Sequence, residues 1–147
     1  MDLTATHLPP PIAKSLETWH ALVARGDLNG LAAIVHPDAV FRSPMAHSPY
    51  GPAPALLLIL GTVITIFKDF SYHRQFVSGD GMSVVLEFTA AVGDKKVSGI
   101  DMIRFNDEGK IVEFEVMVRP MSGLQALGAE MGARLATHLA AFKGKDS

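Results

Sequence analysis

The chain has no cysteine. That excludes a disulfide framework and thiolate chemistry, and it fits a reducing cytoplasm, the expected location. Basic residues are not in excess either: 13 Lys and Arg against 15 Asp and Glu leave a formal charge of −2. A phosphate backbone or an anionic membrane surface would find no basic stripe, so neither nucleic acid nor membrane is expected as a partner. Long apolar runs are missing too. The longest, Ala53 to Phe67, reads as a buried helix because its about 15 residues fall short of the roughly 20 a spanning helix needs. The first eleven residues carry Asp2, His7 and three prolines where a signal peptide would be basic and then apolar, so a leader is not expected. With no internal repeat, low-complexity tract or linker, the 147 residues are expected to form one domain with a core of ordinary size.

What is present is a succession of periodic segments. Met1 to Pro11 reads as a loose arm, its last proline suited to a helix's first turn. Ile12, Leu16, Trp19 and Val23 then recur at helical spacing, which predicts a helix from Ile12 to Arg25 stopped by Gly26. Asp27 suits the N-cap of a short helix over Leu28 to Val35, His36-Pro37-Asp38 reads as a break, and Ala39 to Arg42 as a brief strand. A proline-rich loop, Pro44 to Pro54, precedes the apolar helix. Four strands follow, Phe70 to Val77, Met82 to Val92, Lys96 to Phe105 and Lys110 to Val118, separated by short turns rich in Gly, Asn and Asp that make them antiparallel neighbours. Ser122 is expected to cap a last helix reaching Phe142. Helices, an antiparallel sheet and one more helix give an α+β domain.

One residue breaks the pattern. On the third of those strands Val97, Gly99, Asp101, Ile103 and Phe105 share a face, and on the fourth Phe114, Val116 and Val118 do. Asp101 is therefore a lone carboxylate on an apolar surface, where it must be paired, hydrogen-bonded or protonated. It is either the functional acid or base, or a carboxylate tied to the Trp19 N–H or a tyrosine hydroxyl for structural reasons. Phe41, Leu86, Phe88, Ile103, Phe114, Val116 and Val118 would line a pocket for a flat hydrophobic ligand, or fill a core; periodicity does not separate the two.

The hairpin Asp101-Met102-Ile103-Arg104-Phe105-Asn106-Asp107-Glu108-Gly109-Lys110-Ile111 resembles the penultimate hairpin of the ketosteroid isomerases, within the SnoaL-like group of the nuclear transport factor two-like superfamily. Trp19 to Val35, followed by Pro37-Asp38-Ala39-Val40-Phe41-Arg42-Ser43-Pro44, is similar to that superfamily's opening helices and first strand. The resemblance spans roughly Ile12 to Arg119. It implies a cystatin-like cone: a strongly curved antiparallel sheet wrapped around N-terminal helices, with a deep apolar pocket for a small hydrophobic organic molecule, no cofactor, and commonly a dimer. The C-terminal helix is an addition that covers the pocket mouth or extends a dimer contact. In those isomerases an aspartate base moves the proton while a tyrosine and a protonated aspartic acid hold the enolate oxygen. The resemblance places Asp101 at the protonated acid, Ser43 at the base and Trp19 at the tyrosine. A serine does not take an α-proton unaided, so the standard isomerisation is disfavoured. His47 and Tyr50, in the proline-rich loop, are the expected replacement base and donor, and Trp19 and Ser43 become pocket groups.

Other chemistries fit less well. No Gly-x-Ser-x-Gly elbow accompanies Ser43, His47 and Asp101, and the histidines lack the spacing of a zinc site, so no metal is expected. The sheet's other face carries Ile100, Met102 and Met117 among Arg104, Glu113 and Glu115. That mixture predicts a homodimer through the outer sheet face, with Arg104 paired to a glutamate of the second copy. The functional expectation is an acid–base enzyme (isomerase, cyclase, dehydratase or hydrolase) acting on a hydrophobic, oxygen-bearing molecule. The alternatives are a non-catalytic binder of such a ligand and a dimerisation module of the same fold.

Overall fold

A computed structural model of the protein describes residues 8–139, with side chains as far as residue 135. Helix α1, Pro10–Arg25, opens on two prolines whose missing N–H groups cost nothing in a first turn. It starts two residues before the predicted Ile12. Leu8 is buried in the core ahead of it, so residues 8–11 are held rather than loose; residues 1–7 of the expected arm lie outside the described residues. Ile12, Leu16, Trp19 and Leu22 bury one stripe of α1, while Val23 is half-buried at its margin. Gly26 ends the helix in the left-handed conformation, φ 73°.

The predicted second helix is a single 3-10 turn, Leu31–Ile34. Asp27 turns the chain locally instead of capping a helix, its Oδ1 accepting the Asn29 N–H at 2.8 Å. The strand that follows, β1, Val35–Arg42, is longer than expected and runs through His36-Pro37-Asp38, with the pairing irregular between Val35 and Val40. A proline inside a strand is tolerated at a sheet edge, and β1 is an edge.

Helix α2, Ala53–Ile66, holds the longest apolar run. The other strands are β2, Lys68–Val77, β3, Ser83–Val92, β4, Lys95–Phe105, and β5, Ile111–Arg119. Their order in the sheet is β1-β5-β4-β3-β2. The last four are antiparallel neighbours as predicted, whereas β1 pairs parallel to β5, so the sheet is mixed and open. In the β4–β5 turn Asn106 Oδ1 accepts the N–H groups of Glu108 and Lys110 at 3.0 and 2.9 Å. Gly109 there has φ 83°, and a side chain on it would run into Pro11. Ser15 Oγ donates to the Gly109 carbonyl at 2.6 Å, tying α1 to this hairpin.

Helix α3, Met121–Leu139, begins one residue before Ser122, with the Leu124 N–H donating to the Pro120 carbonyl at 2.9 Å. Ser122 is thus inside the first turn, and the expected end at Phe142 lies outside the described residues. Among the described residues no helix is long and apolar enough to cross a membrane. On the outer sheet face Arg104 lies 3.8 Å from Asp80, and Arg42 holds Glu113 at 2.7 Å, so both find partners within the chain.

Candidate functional site

Strand alternation sends Asp101 inward from β4, with Leu86 of β3 and Val116 of β5 beside it in register. It faces a cavity of about 550 Å³, within the size range of small-molecule sites. The walls come from both layers. Trp19 and Val23 of α1, Phe41 and Ser43 at the end of β1, Tyr50 of the following loop, Phe67 and Phe70 around the start of β2, Val116 of β5, and residues of α2 and α3 surround the carboxyl. Asp101 is the only charged residue among the described lining side chains, and it is 6 % exposed.

Its partner is Tyr72. The Tyr72 hydroxyl donates to Asp101 Oδ2, and Trp19 Nε1–H donates to the Tyr72 oxygen at 3.0 Å. Among the described residues Asp101 Oδ1 has no hydrogen-bond partner and is not a buried unsatisfied atom, which fits an oxygen bordering the cavity. Burial pushes the Asp101 carboxyl up to about 7, partly offset by the hydrogen bond from Tyr72. Tyr72 is driven well above a phenol's ordinary value, first by burial and then by the charge and hydrogen bonding of Asp101, so it stays protonated and keeps donating. The site therefore holds one carboxyl that changes charge near neutrality in apolar surroundings, which suits general acid–base work.

The sequence expectations separate into two groups. Asp101, Tyr50, Trp19, Ser43, Phe41 and Val116 all border the cavity. His47, expected as a base, is exposed and outside the lining. Its orientation follows from the backbone. Phe41 and Tyr50 exchange N–H···O=C bonds of 2.8 and 2.9 Å, which turns Tyr50 and Ser48 inward and His47 out. Phe88, Ile103 and Phe114, expected as lining, are fully buried behind the wall. Phe88 stacks under Phe70 at 4.9 Å, and Phe114 lies 5.1 Å from Trp19, so these rings support the lining from behind. Val118 is half-buried and off the wall. Ser43 Oγ accepts the Met45 N–H at 3.0 Å.

Tyr72 escaped the sequence reading; its only signal was the alternation of Phe70 and Tyr72 on an inward strand face. On α3, Leu127, Gly128, Met131, Gly132 and Leu135 present one stripe to the cavity. The helix thus borders the pocket, in keeping with the first of its two expected roles.

Comparison with known proteins places this geometry. The fold is the cystatin-like, nuclear transport factor two-like one, shared with a cystatin-like-fold protein from Silicibacter pomeroyi DSS-3 at 32% identity, TM-score 0.77, over 92% of each chain. Within it, the chain belongs to the SnoaL-like domain family, whose model matches residues 16–114. A steroid delta-isomerase from Pseudomonas aeruginosa is 65% identical over 90% of this chain and 97% of that one, with a TM-score of 0.86. The epoxide hydrolase/cyclase-like enzyme SalBIII, with a role in pyran ring formation in the polyether salinomycin, shares the fold at 17% identity, TM-score 0.61, over 75% of this chain and 91% of that one. A search of curated proteins found no match. Helix α3 lies beyond the part of the chain that the family model covers.

Proposed function

We propose that this protein is a cofactor-independent acid–base isomerase of a neutral, flat, hydrophobic ketone, with Asp101 as its working base and acid. The observation that carries the reading is the solitary, neutrally poised carboxyl at the wall of a large uncharged cavity. The steroid delta-isomerase at 65% identity supports a steroid-like ligand. In the proposed step, ionised Asp101 removes a proton from the carbon between the ligand's carbonyl and its double bond. The C–H electrons form a dienolate, and the proton then returns from Asp101 to the far carbon of that dienolate. The double bond has moved, and nothing is oxidised or lost. Tyr50 and Ser43 offer the remaining hydroxyls of the lining as donors to the dienolate oxygen. This differs from the standard ketosteroid isomerase scheme, where a second carboxylate is the base. Among the described residues an anionic ligand would meet no cation in this cavity, so carboxylated analogues are disfavoured.

A non-catalytic binder is the second reading, favoured by the fact that Asp101 Oδ2 already has a partner without ligand. A spectrophotometric assay of double-bond migration in a Δ5-3-ketosteroid, run beside thermal shifts on wild type and Asp101→Asn, separates the two. Turnover in wild type that falls by 10²-fold or more in the variant, with ligand-induced stabilisation retained, supports the enzyme. Ligand at about 100 times Kd adds roughly 2.7 kcal/mol, so binding is visible even where turnover is gone. Stabilisation of both proteins with no turnover supports the binder; no stabilisation by ketosteroids, phenols or epoxides overturns both.

We also propose that a second copy of the chain covers the outer sheet face, where Phe76 and Met117 are exposed beside Met102 and Ile100. Arg104 and Glu115 flank Met102 on that face, so a twofold copy sets opposite charges against each other. Sedimentation of wild type against Met117→Glu tests it: a dimer that the variant dissociates supports the interface, and a monomeric wild type overturns it.

A further inference from the structure

Tyr72 reaches Asp101 from two strands away. It stands opposite Phe88 of β3, and Phe88 in turn stands opposite Gly99 of β4, two residues before Asp101. The Phe88 ring fills the space a side chain on Gly99 would take, with Cε2 2.9 Å from that position. The tyrosine hydroxyl lies between two groups of different character. An indole N–H only donates, a phenol has one proton and accepting lone pairs, and a carboxyl can do either depending on protonation. Because Trp19 donates to Tyr72, the hydroxyl proton of Tyr72 is directed to Asp101 Oδ2. The chain of hydrogen bonds therefore has one direction, toward the carboxyl.

We infer that Trp19 and Tyr72 are positioning residues that force any proton held by Asp101 onto Oδ1, the oxygen facing the ligand. Without the indole N–H, a protonated Asp101 could donate back to Tyr72, and the proton would be parked away from the dienolate it must reach. Tyr72 alone would still orient the carboxylate. Trp19 makes that orientation irreversible during the cycle. This inference rests on the isomerase reading for its catalytic consequence, although the direction of the chain does not. It also gives Trp19 a task unlike that of an oxyanion donor, since its N–H is spent within the protein.

The surroundings of Asp101 leave few competing explanations for a change in its titration. Val116 of β5 and Leu86 and Phe88 of β3 are uncharged, and so are the described lining residues of α2 and α3. From α1, His20 lies edge-on to Tyr72 at 5.4 Å with its Nε2 3.3 Å from Gln75 Oε1. It is the other titratable side chain packed on Tyr72.

The test follows the Asp101 carboxyl by carbon NMR through a pH titration of the full chain without ligand, in wild type, Trp19→Phe, Tyr72→Phe and His20→Gln. Both Phe variants keep a ring in place, and thermal melts confirm folding. The expected result is a higher Asp101 midpoint in Trp19→Phe and in Tyr72→Phe, with His20→Gln unchanged. In the ketosteroid assay the same two variants lose kcat with little change in KM. That loss is on the order of tenfold larger at pH 6 than at pH 9, the ratio that a midpoint rise of about one pH unit produces. Identical midpoints in the folded proteins overturn the inference. Shifted midpoints with no turnover in wild type leave the positioning chain standing and overturn the isomerase reading instead.

Discussion

Neighbouring inward positions of β4 present the same apolar alternation and end in opposite states. Ile103 and Phe105, toward the hairpin, are 0 % and 1 % exposed, and Val97, toward the other end, is 3 % exposed. Between them, Asp101 faces a cavity because α2 and α3 line the space without filling it. Alternation therefore specifies which side of a strand is inward, and the neighbouring helices decide whether inward means packed. The Asp101 carboxyl stands at the boundary between the two regimes, where burial pushes its pKa up to about 7 and space is left beside it.

The largest expected effect comes from the cost of burying that carboxyl beside the cavity. The unfolded chain releases the Asp101 proton near its ordinary value of 3.8, and the folded chain near 7. Between those values the folded state binds one more proton, so stability falls as pH rises through the window, by about 4 kcal/mol at most. Urea unfolding at pH 4.5, 6 and 8 should show this decline superimposed on the remaining groups, and Asp101→Asn should flatten it. An equal pH dependence in both proteins would remove Asp101 from the account.

The next effect compares like substitutions in the two surroundings. Ile103→Ala, in the packed stretch, should cost about 2–5 kcal/mol by leaving a cavity in packed surroundings. Ile64→Ala, on the cavity wall in α2, should cost about 1 kcal/mol or less, because that side chain is half-buried and already lacks neighbours on one side. Equal losses in denaturant midpoints would mean that the cavity is packed in solution.

The smallest change in stability should carry an opposite change in binding. Gly132 of α3 borders the cavity, and nothing lies within 4 Å of where its side chain would begin. Gly132→Leu should stabilise the helix by up to about 1 kcal/mol while weakening ketosteroid binding. Gly128 offers no such opening, since Met45 already occupies the space. A Gly132→Leu protein that binds as well as wild type would place the ligand away from α3.

Much of this was readable from the chain because the signals were local. Asp101 stood out against its own strand, the hairpin announced itself at Asn106 to Gly109, and α1 followed from the spacing of Ile12, Leu16 and Trp19. Several of the failures turned on partners distant in sequence. Tyr72 looked like an ordinary inward strand residue because its partner is on a strand beyond its neighbour. The parallel pairing of β1 with β5 depends on Val35 meeting Ile111 across most of the sequence, and that pairing also drew the end of the expected second helix into a strand. His47 faced the wrong way because one backbone bridge between Phe41 and Tyr50 sets the alternation of the loop. Phe88, Ile103 and Phe114 were apolar and inward, as read, but whether a ring touches ligand or only its neighbours depends on helices that carry no marker of the empty side.

The proposed function requires one carboxyl, at the cavity in an otherwise packed sheet face, to perform the proton transfer. The pH dependence of kcat/KM for a Δ5-3-ketosteroid between pH 5 and 9 tests it most directly. The account predicts a rate that rises with pH to a plateau, with a midpoint near 7 where Asp101 ionises, and that the rise is absent in Asp101→Asn. A wild-type profile flat across this range, or one surviving unchanged in Asp101→Asn, would contradict it.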